Sequence, residues 1–288
     1  MPVTTSATRE PTPGFAVVIP VFNDPASLRR SVNSATHQLG HAPEVVVVDD
    51  GSTDDMRLVF QELRAAGVLV VSHPGNRGPA AARNSGAGST TADWLVFLDS
   101  DDELTPGALA AYAAAITTDC GLVRARFGRR DQPDDHAVSG FLAGTFAVRR
   151  DVFELAGGYD PELRFSENSE LLMRLAPTLA DRGLVETNID TTSVVVRSVG
   201  ESRNYDAARM RAAIHVLEQH RVHFDADRHD RATHEAIVSV NAMRTRHWGT
   251  AVRYAARGVR SEPRQPRHYA RLGLALLGPL GARPALRR

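Results

Sequence analysis

The run Trp94-Leu95-Val96-Phe97-Leu98, followed at once by Asp99-Ser100-Asp101-Asp102-Glu103, decides how this chain is read. Five apolar residues, aromatic and β-branched among them, predict a strand buried in a parallel sheet. Its acidic end then falls at a strand carboxyl end, where open α/β sheets bind ligands. Carboxylates crowded on one tight turn repel one another unless a cation or polar contacts compensate them. Two readings follow. The turn binds a hard divalent metal that neutralises a phosphate-bearing substrate, or it caps the next helix through Asp102 or Thr105, with Pro106 early in that helix.

Working outward, strand and helix signals alternate. Strands are expected over 15–21, 44–48, 68–72 and 94–98, and helices over 25–38, 54–66 and 79–89. Such spacing implies βαβ units with right-handed crossovers, hence an open, mostly parallel α/β sheet flanked by helices on both faces. Further on, a helix is expected over 105–117, strands over 121–129, 141–149 and 192–197, and short helices over 151–156 and 166–175. The polar, Asp-rich stretch 130–139 reads as a loop. From Asp206 the pattern is helical, over 206–221, 231–246, 250–261 and 266–277. The expected organisation is a disordered N-terminus (1–14), two halves of one α/β domain (15–104 and 105–204), and a helical C-terminal appendage (205–288).

Composition narrows the function classes. The 288 residues are 42% hydrophobic and 24% charged, ordinary for a soluble globular chain. A formal net charge of zero supplies no global field toward nucleic acid, so no nucleic-acid partner is expected. All basic side chains besides histidine are Arg. A single cysteine, Cys120, excludes an internal disulfide framework, and no His or Cys cluster argues for zinc. Met1–Gly14 lacks the apolar core of a signal peptide. No run reaches the ~20 apolar residues that span a bilayer. Leu272–Leu280, flanked by Arg264, Arg267, Arg271, Arg283, Arg287 and Arg288, is read either as a peripheral membrane contact or as a terminal helix packed on the domain. The expected location is cytoplasmic, at the inner face of the membrane if that contact forms.

Four segments meet at strand ends if the sheet is parallel: 17–23, 47–54, 76–84 and 98–102. Their residues are Val17-Val18-Ile19-Pro20-Val21-Phe22-Asn23, Val47-Val48-Asp49-Asp50-Gly51-Ser52-Thr53-Asp54, Asn76-Arg77-Gly78-Pro79-Ala80-Ala81-Ala82-Arg83-Asn84 and Leu98-Asp99-Ser100-Asp101-Asp102. In this order and spacing the chain resembles the family 2 glycosyltransferases of the GT-A fold over about residues 15 to 175. The resemblance implies an inverting, metal-dependent transfer from a nucleotide-sugar donor, expected to be UDP-linked. The acceptor would be a hydroxyl of a carbohydrate, a lipid-linked or another molecule. Asp99-Ser100-Asp101 matches the family's DxD motif. By resemblance Asp99 faces the ribose or a metal-bound water, and Asp101 coordinates Mn²⁺ or Mg²⁺ bridging the phosphates. A dinucleotide oxidoreductase is disfavoured, because Pro20-Val21-Phe22-Asn23 has no Gly-x-Gly.

The remaining donor-side residues are expected as follows. Pro20 and Val21 end the first strand, where exposed backbone groups could meet a base edge while proline rigidifies the turn. Asn23 binds donor or, with Asp24, caps the next helix. Asp50 accepts from a base N–H or a ribose hydroxyl, whereas Ser52 and Asp54 are read as helix caps. Arg83 pairs with a diphosphate or braces the acidic turn.

An inverting transfer also needs a base for the acceptor hydroxyl. Relatives carry a Glu-Asp pair at a helix start; the matching stretch here is Ser166-Glu167-Asn168-Ser169-Glu170. Asn168 occupies the place of the usual Asp, and an amide accepts no proton at neutral pH. Three readings remain: Glu167 is the base, Glu170 is the base one turn later on the same face, or the site is idle and only binds the nucleotide sugar. Tyr159 and Asp160 line the acceptor pocket or merely follow a helix C-cap. The stretch Val196–Ser202 lacks the histidine that many relatives carry, leaving Arg197 to contact phosphate or to lie on the surface. His215 and His220 are expected to be packed or solvent-facing.

Overall fold

A computed structural model of the protein describes residues 13–129, 138–139, 141–197 and 205–285. Phe15–Val21 (β1) is buried at every position, as an apolar strand with neighbours on both edges should be. Asp24 then starts Pro25–Thr36 (α1): its Oδ1 accepts from Ser27 N at 2.9 Å, and Pro25 occupies the first turn. Leu28, Val32 and Ala35 form the buried stripe of that helix. Glu44–Asp49 (β2), Arg57–Ala65 (α2), Leu69–Ser72 (β3), Pro79–Ala87 (α3) and Trp94–Phe97 (β4) follow. Strands β3, β2, β1 and β4 lie side by side in that order and all run parallel.

The second half of the sheet is mixed. Glu103–Leu104 (β5), Ala108–Ala115 (α4), Cys120–Arg129 (β6), Val138–Ser139 (β7), Phe146–Arg149 (β8), Arg150–Leu155 (α5), Glu167–Asp181 (α6) and Val185–Val196 (β9) come next. Antiparallel β8 sits between β4 and β6; β9 runs parallel to β6, and β5 closes the edge antiparallel to β9. Several expected elements shift. The strand expected over 141–149 is strand only from Phe146, because Leu142–Thr145 closes a turn with Gly144 at φ +82°. Strand β9 begins at Val185 rather than 192, and two-residue β5 was not expected. The stretch 130–137 and residues 1–12 lie outside the described residues.

Asp206–Gln219 (α7), Arg221–Ala226 (α8), Arg228–Arg244 (α9), Trp248–Ser261 (α10) and Pro266–Ala285 (α11) follow. The helix expected over 206–221 breaks at His220. Contacts divide the chain into an α/β unit, Met1–Gly158 with Leu175–Ser198, and a helical unit, Tyr159–Arg174 with Val199–Arg288. The expected division at 104 separates halves within the α/β unit, and the cut between the units passes through α6. In the helical unit Met210, Ala213, Val238, Ala242, Met243, Ala251, Tyr254 and Ala255 form a core rich in small residues. Ala275 of α11 joins that core, while Leu276 and Leu277 are exposed and the helix kinks at Gly278. Among the described residues no helix is long and apolar enough to cross a membrane.

One glycine sets how closely α3 lies on the sheet. A Cβ on Gly86 would stand 2.3 Å from Val18 Cγ1 and 3.0 Å from Val48 Cγ2. Both valines are stiff at χ1 and fully buried, so neither can yield without moving the sheet. Gly86→Ala therefore lowers stability by about 1–3 kcal/mol through overpacking, more than the ~1 kcal/mol that alanine gains in a helix. The midpoint of urea unfolding measures this, and a midpoint unchanged or raised would overturn it.

Candidate active site

Three loops of the α/β unit are tied together at the carboxyl ends of β1, β2 and β3. Asn23, at φ +56°, adopts the left-handed conformation that asparagine tolerates. Its Oδ1 accepts from Thr53 N at 2.7 Å and Asp54 N at 3.0 Å, and its own N donates to Ser52 Oγ at 3.0 Å. Asp24 caps α1, so Asn23 does not; it clasps the β1–α1 loop to the β2–α2 loop. Ser52 and Asp54 belong to this clasp. Their expected capping is not realised, since α2 starts at Arg57 after Met56 without a side-chain cap. Pro20 and Val21 are buried, and the Val21 carbonyl already accepts from Asp50 N at 2.9 Å. At Val21 a base edge would therefore compete with this bond. Phe22 beside them is 45% exposed, an aromatic face at a strand end to which the sequence reading assigned no role.

Asp50 holds the loop after β3. Its carboxylate accepts from Arg77 N at 2.9 Å and Gly78 N at 2.7 Å, and it meets His73 Nδ1 at 2.8 Å. His73 Nε2 lies 2.8 Å from Ser85 Oγ, completing a buried chain from β2 through the loop to α3. A contact between Asp50 and a base or ribose would compete with these bonds. Gly51, at φ +72°, lets the loop pass: a Cβ there would stand 2.4 Å from the Gly75 carbonyl carbon. The role of His73 was not foreseen, although a histidine just beyond a parallel strand is the available signal.

The acidic turn rests on Arg83. This guanidinium, its side chain 2% exposed, donates from Nη2 to Asp99 Oδ1, while the Asp99 side chain is 41% exposed. Of the two roles read for Arg83, the structure realises the brace. Ser31 Oγ donates to Asp99 O at 3.1 Å and fastens the turn to α1. Ser100 is half-buried in the turn. Solvent reaches Asp101, whose carboxyl is raised above its ordinary range by the desolvation its neighbours impose and then by the Asp99 charge. Burial, then Asp99, pushes Asp102 up to about 8, although it accepts from Arg197 N at 2.9 Å. Asp102 caps no helix, and Thr105 Oγ1 donates to Thr192 O; α4 begins only at Ala108. Arg197 Nη1 donates to Ser27 Oγ at 3.0 Å, so its guanidinium is bound to α1.

Among the described residues no three His, Cys, Asp or Glu side chains are grouped to enclose a metal. Asp99 and Asp101 alone form an incomplete donor set. That fits a hard cation held by one or two carboxylates, with waters and substrate phosphates filling the remaining positions. Burial first, and the neighbouring Asp99 charge second, raise the carboxyls of Asp101 and Asp102.

The helical unit contains the residues read for the acceptor side. Tyr159 is fully buried and its hydroxyl donates to Asn168 Oδ1 at 2.9 Å. Asp160 Oδ2 meets His215 Nε2 at 2.7 Å. Glu167 opens α6 and is 9% exposed. Glu170, 3% exposed, accepts from Arg174 Nε at 2.7 Å and meets His220 Nε2 at 2.8 Å. Burial raises its pKa, but hydrogen bonds from Arg174 and His220 outweigh that and hold it at about 2. A carboxylate so engaged is a poor proton acceptor. These bonds make Glu170 the centre of an ion-pair cluster and weigh against its reading as the base. His215 and His220 are packed against these carboxylates.

Comparison with known proteins places this geometry. The succinoglycan biosynthesis protein ExoO of Rhizobium meliloti is 36% identical over 97 residues, 34% of this chain and 28% of that protein. The chain spans less than two thirds of the length of the curated relatives it matches first. S. aureus TarS 1–349, solved with UDP-GlcNAc, shares the fold at a TM-score of 0.60 and 16% identity, over 93% of this chain and 88% of that one. PcManGT of Pyrobaculum calidifontis, a mannosyltransferase solved with GDP-Man and Mn²⁺, does so at 0.58 and 18%, over 96% and 88%. The architecture is the mixed α/β GT-A fold with C-terminal helices. The family model for glycosyl transferase family 2 matches residues 16–159, half of the chain, and the chain belongs to that family.

Proposed function

We propose that this protein transfers a sugar, with inversion, from a nucleoside-diphosphate donor to an acceptor hydroxyl, and that the transfer depends on Mn²⁺ or Mg²⁺. The observation that carries this reading is the acidic turn: Asp99 braced on buried Arg83, with Asp101 beside it facing solvent. The cation supplies charge neutralisation at the departing diphosphate when it is bound. Asp99 and Asp101 would hold it, with Ser100 between them. The aromatic face of Phe22 offers the base a stacking surface, and Asn23 and Asp50 keep the surrounding loops in register. UDP-sugar is the donor favoured by the family resemblance; the TarS complex with UDP-GlcNAc and the PcManGT complex with GDP-Man and Mn²⁺ support a nucleotide sugar and a metal. On the acceptor side Glu167 takes the proton from the attacking hydroxyl, and Tyr159 orders Asn168 beside it. The acceptor is a carbohydrate, lipid-linked or other hydroxyl. A cytoplasmic setting is part of the same proposal, with the C-terminal helix either packed on the domain, as Ala275 is, or the point of a peripheral membrane contact.

A second reading, a nucleotide-sugar-binding protein without transfer, draws on Asn168, an amide already bonded to Tyr159 where the family usually places its base. Release of nucleoside diphosphate from UDP- and GDP-sugars, with and without Mn²⁺, separates the two. Transfer predicts metal-stimulated release that Asp101→Ala reduces by about 10²-fold or more without changing the circular dichroism spectrum. Undiminished release by that variant would overturn the metal assignment. Tight donor binding with no release across an acceptor panel would favour the second reading.

The base assignment has its own test. Glu167→Gln is expected to lower kcat by about 10²–10⁴-fold at nearly unchanged donor KM. Glu170→Gln acts on stability instead. Its folded pKa of about 2 lies below the ordinary 4.5, so the ionised carboxylate stabilises the fold above about pH 4.5, and that contribution is lost as pH falls toward 2. The variant therefore melts lower at neutral pH and loses part of its melting-temperature decline in acid. A kcat loss confined to Glu170→Gln, with melting unchanged, would reverse the assignment.

A further inference from the structure

The zero net charge conceals a division. Residues 199–288 carry 17 Arg against eight Asp and Glu, a formal +9, while residues 1–198 carry 17 Arg against 26 acids, a formal −9. Inside the helical unit five of the 17 arginines of residues 199–288 line one cavity of about 680 Å³, within the size range of small-molecule sites. Buried Phe224 and Tyr254 are among its lining residues. Five arginines line it: Arg221 opens α8, Arg228 and Arg231 lie three apart on α9, and Arg257 and Arg260 lie three apart on α10. Residues three apart share a helix face, so like charges there repel and cost stability unless something offsets them.

The offset within the protein is partial. Asp225 and buried Glu235 both engage Arg231, and Ser261 Oγ donates to Glu235 at 2.9 Å. Arg257 lies over the Tyr254 ring, its guanidinium carbon 4.9 Å from the centroid. Arg221, Arg228 and Arg260 have no hydrogen-bond or ion-pair partner among the described residues. Glu218 completes the acidic lining, leaving five positive charges against three negative ones. A planar guanidinium fork matches phosphate oxygens two at a time, and it stays charged at any physiological pH.

We propose that this cavity is an anion site that binds a phosphate-bearing ligand, with a diphosphate group as the best match to its converging arginines. It belongs wholly to the helical unit and uses none of the residues assigned to the donor. The group could be presented by a soluble molecule or by a lipid headgroup, and the test separates the two.

The full chain is titrated with inorganic diphosphate by calorimetry in EDTA, in the parent protein and in Asp101→Ala, so that a metal-dependent donor site contributes nothing. Saturable binding is expected in both, weakening as salt rises. The double variant Arg228→Gln/Arg260→Gln, which removes two exposed side chains and no internal bond, should weaken it at least about tenfold. Arg257→Gln is a second variant from a separate position, also expected to weaken binding. Absence of saturable binding, loss in Asp101→Ala, or full affinity in the folded double variant would overturn the proposal. A parallel arm sediments the chain with phosphatidylglycerol vesicles. Sedimentation displaced by diphosphate identifies a headgroup as the source, and diphosphate binding without sedimentation identifies a soluble ligand.

Discussion

A guanidinium cannot give up its proton, so burying one obliges the fold to bring it a counter-charge. Arg83 is such a group, and Asp99 is its answer. The pair ties α3 to the turn at the end of β4. Because Arg83 cannot move without stranding a charge, Asp99 is held at one position, and the turn carrying Ser100 and Asp101 is held with it. The close seat of α3 on β1, which Gly86 permits, places Arg83 at the right depth. Packing, ion pair and acidic turn thus form one chain of cause.

Around this pair lies a second layer of restraint that uses loops rather than helices. Asn23 grips Thr53 and Asp54, and Asp50 grips Arg77 and Gly78. Each is a short polar side chain replacing a backbone partner that irregular segments lack. A site assembled from loops acquires the rigidity that loops alone would not supply, at the strand ends where α/β sheets bind ligands.

The parallel strands were legible because each is an apolar run bounded by turn residues; β1 begins and ends where its pattern does. The start of β9 was not, since Val185-Glu186-Thr187-Asn188 has no apolar run and is held by pairing with β6. Two-residue β5 is likewise defined by its partner, not by its own propensity. In the site, the four strand-end motifs carried most of the information. The engagement of Glu170 by Arg174 follows the helical spacing of four and could be read from it. Its bond to His220, 50 residues away, could not, and that bond weighs against Glu170 as the base. The arginines of the helical unit were equally opaque, because their convergence depends on how α9 packs against α10.

The crossing of Gly51 and Gly75 bears on how such a protein can change over time. Two backbones pass there with no side chain between them, so a residue larger than glycine at position 51 would push the loop after β3 away from Asp50. That loop leads directly into α3 and Arg83. Enlarging position 51 would therefore disturb the acidic turn, whereas a side chain at position 75 meets nothing within 4 Å. The position of the acidic turn thus hangs on a single backbone approach that only glycine at 51 allows.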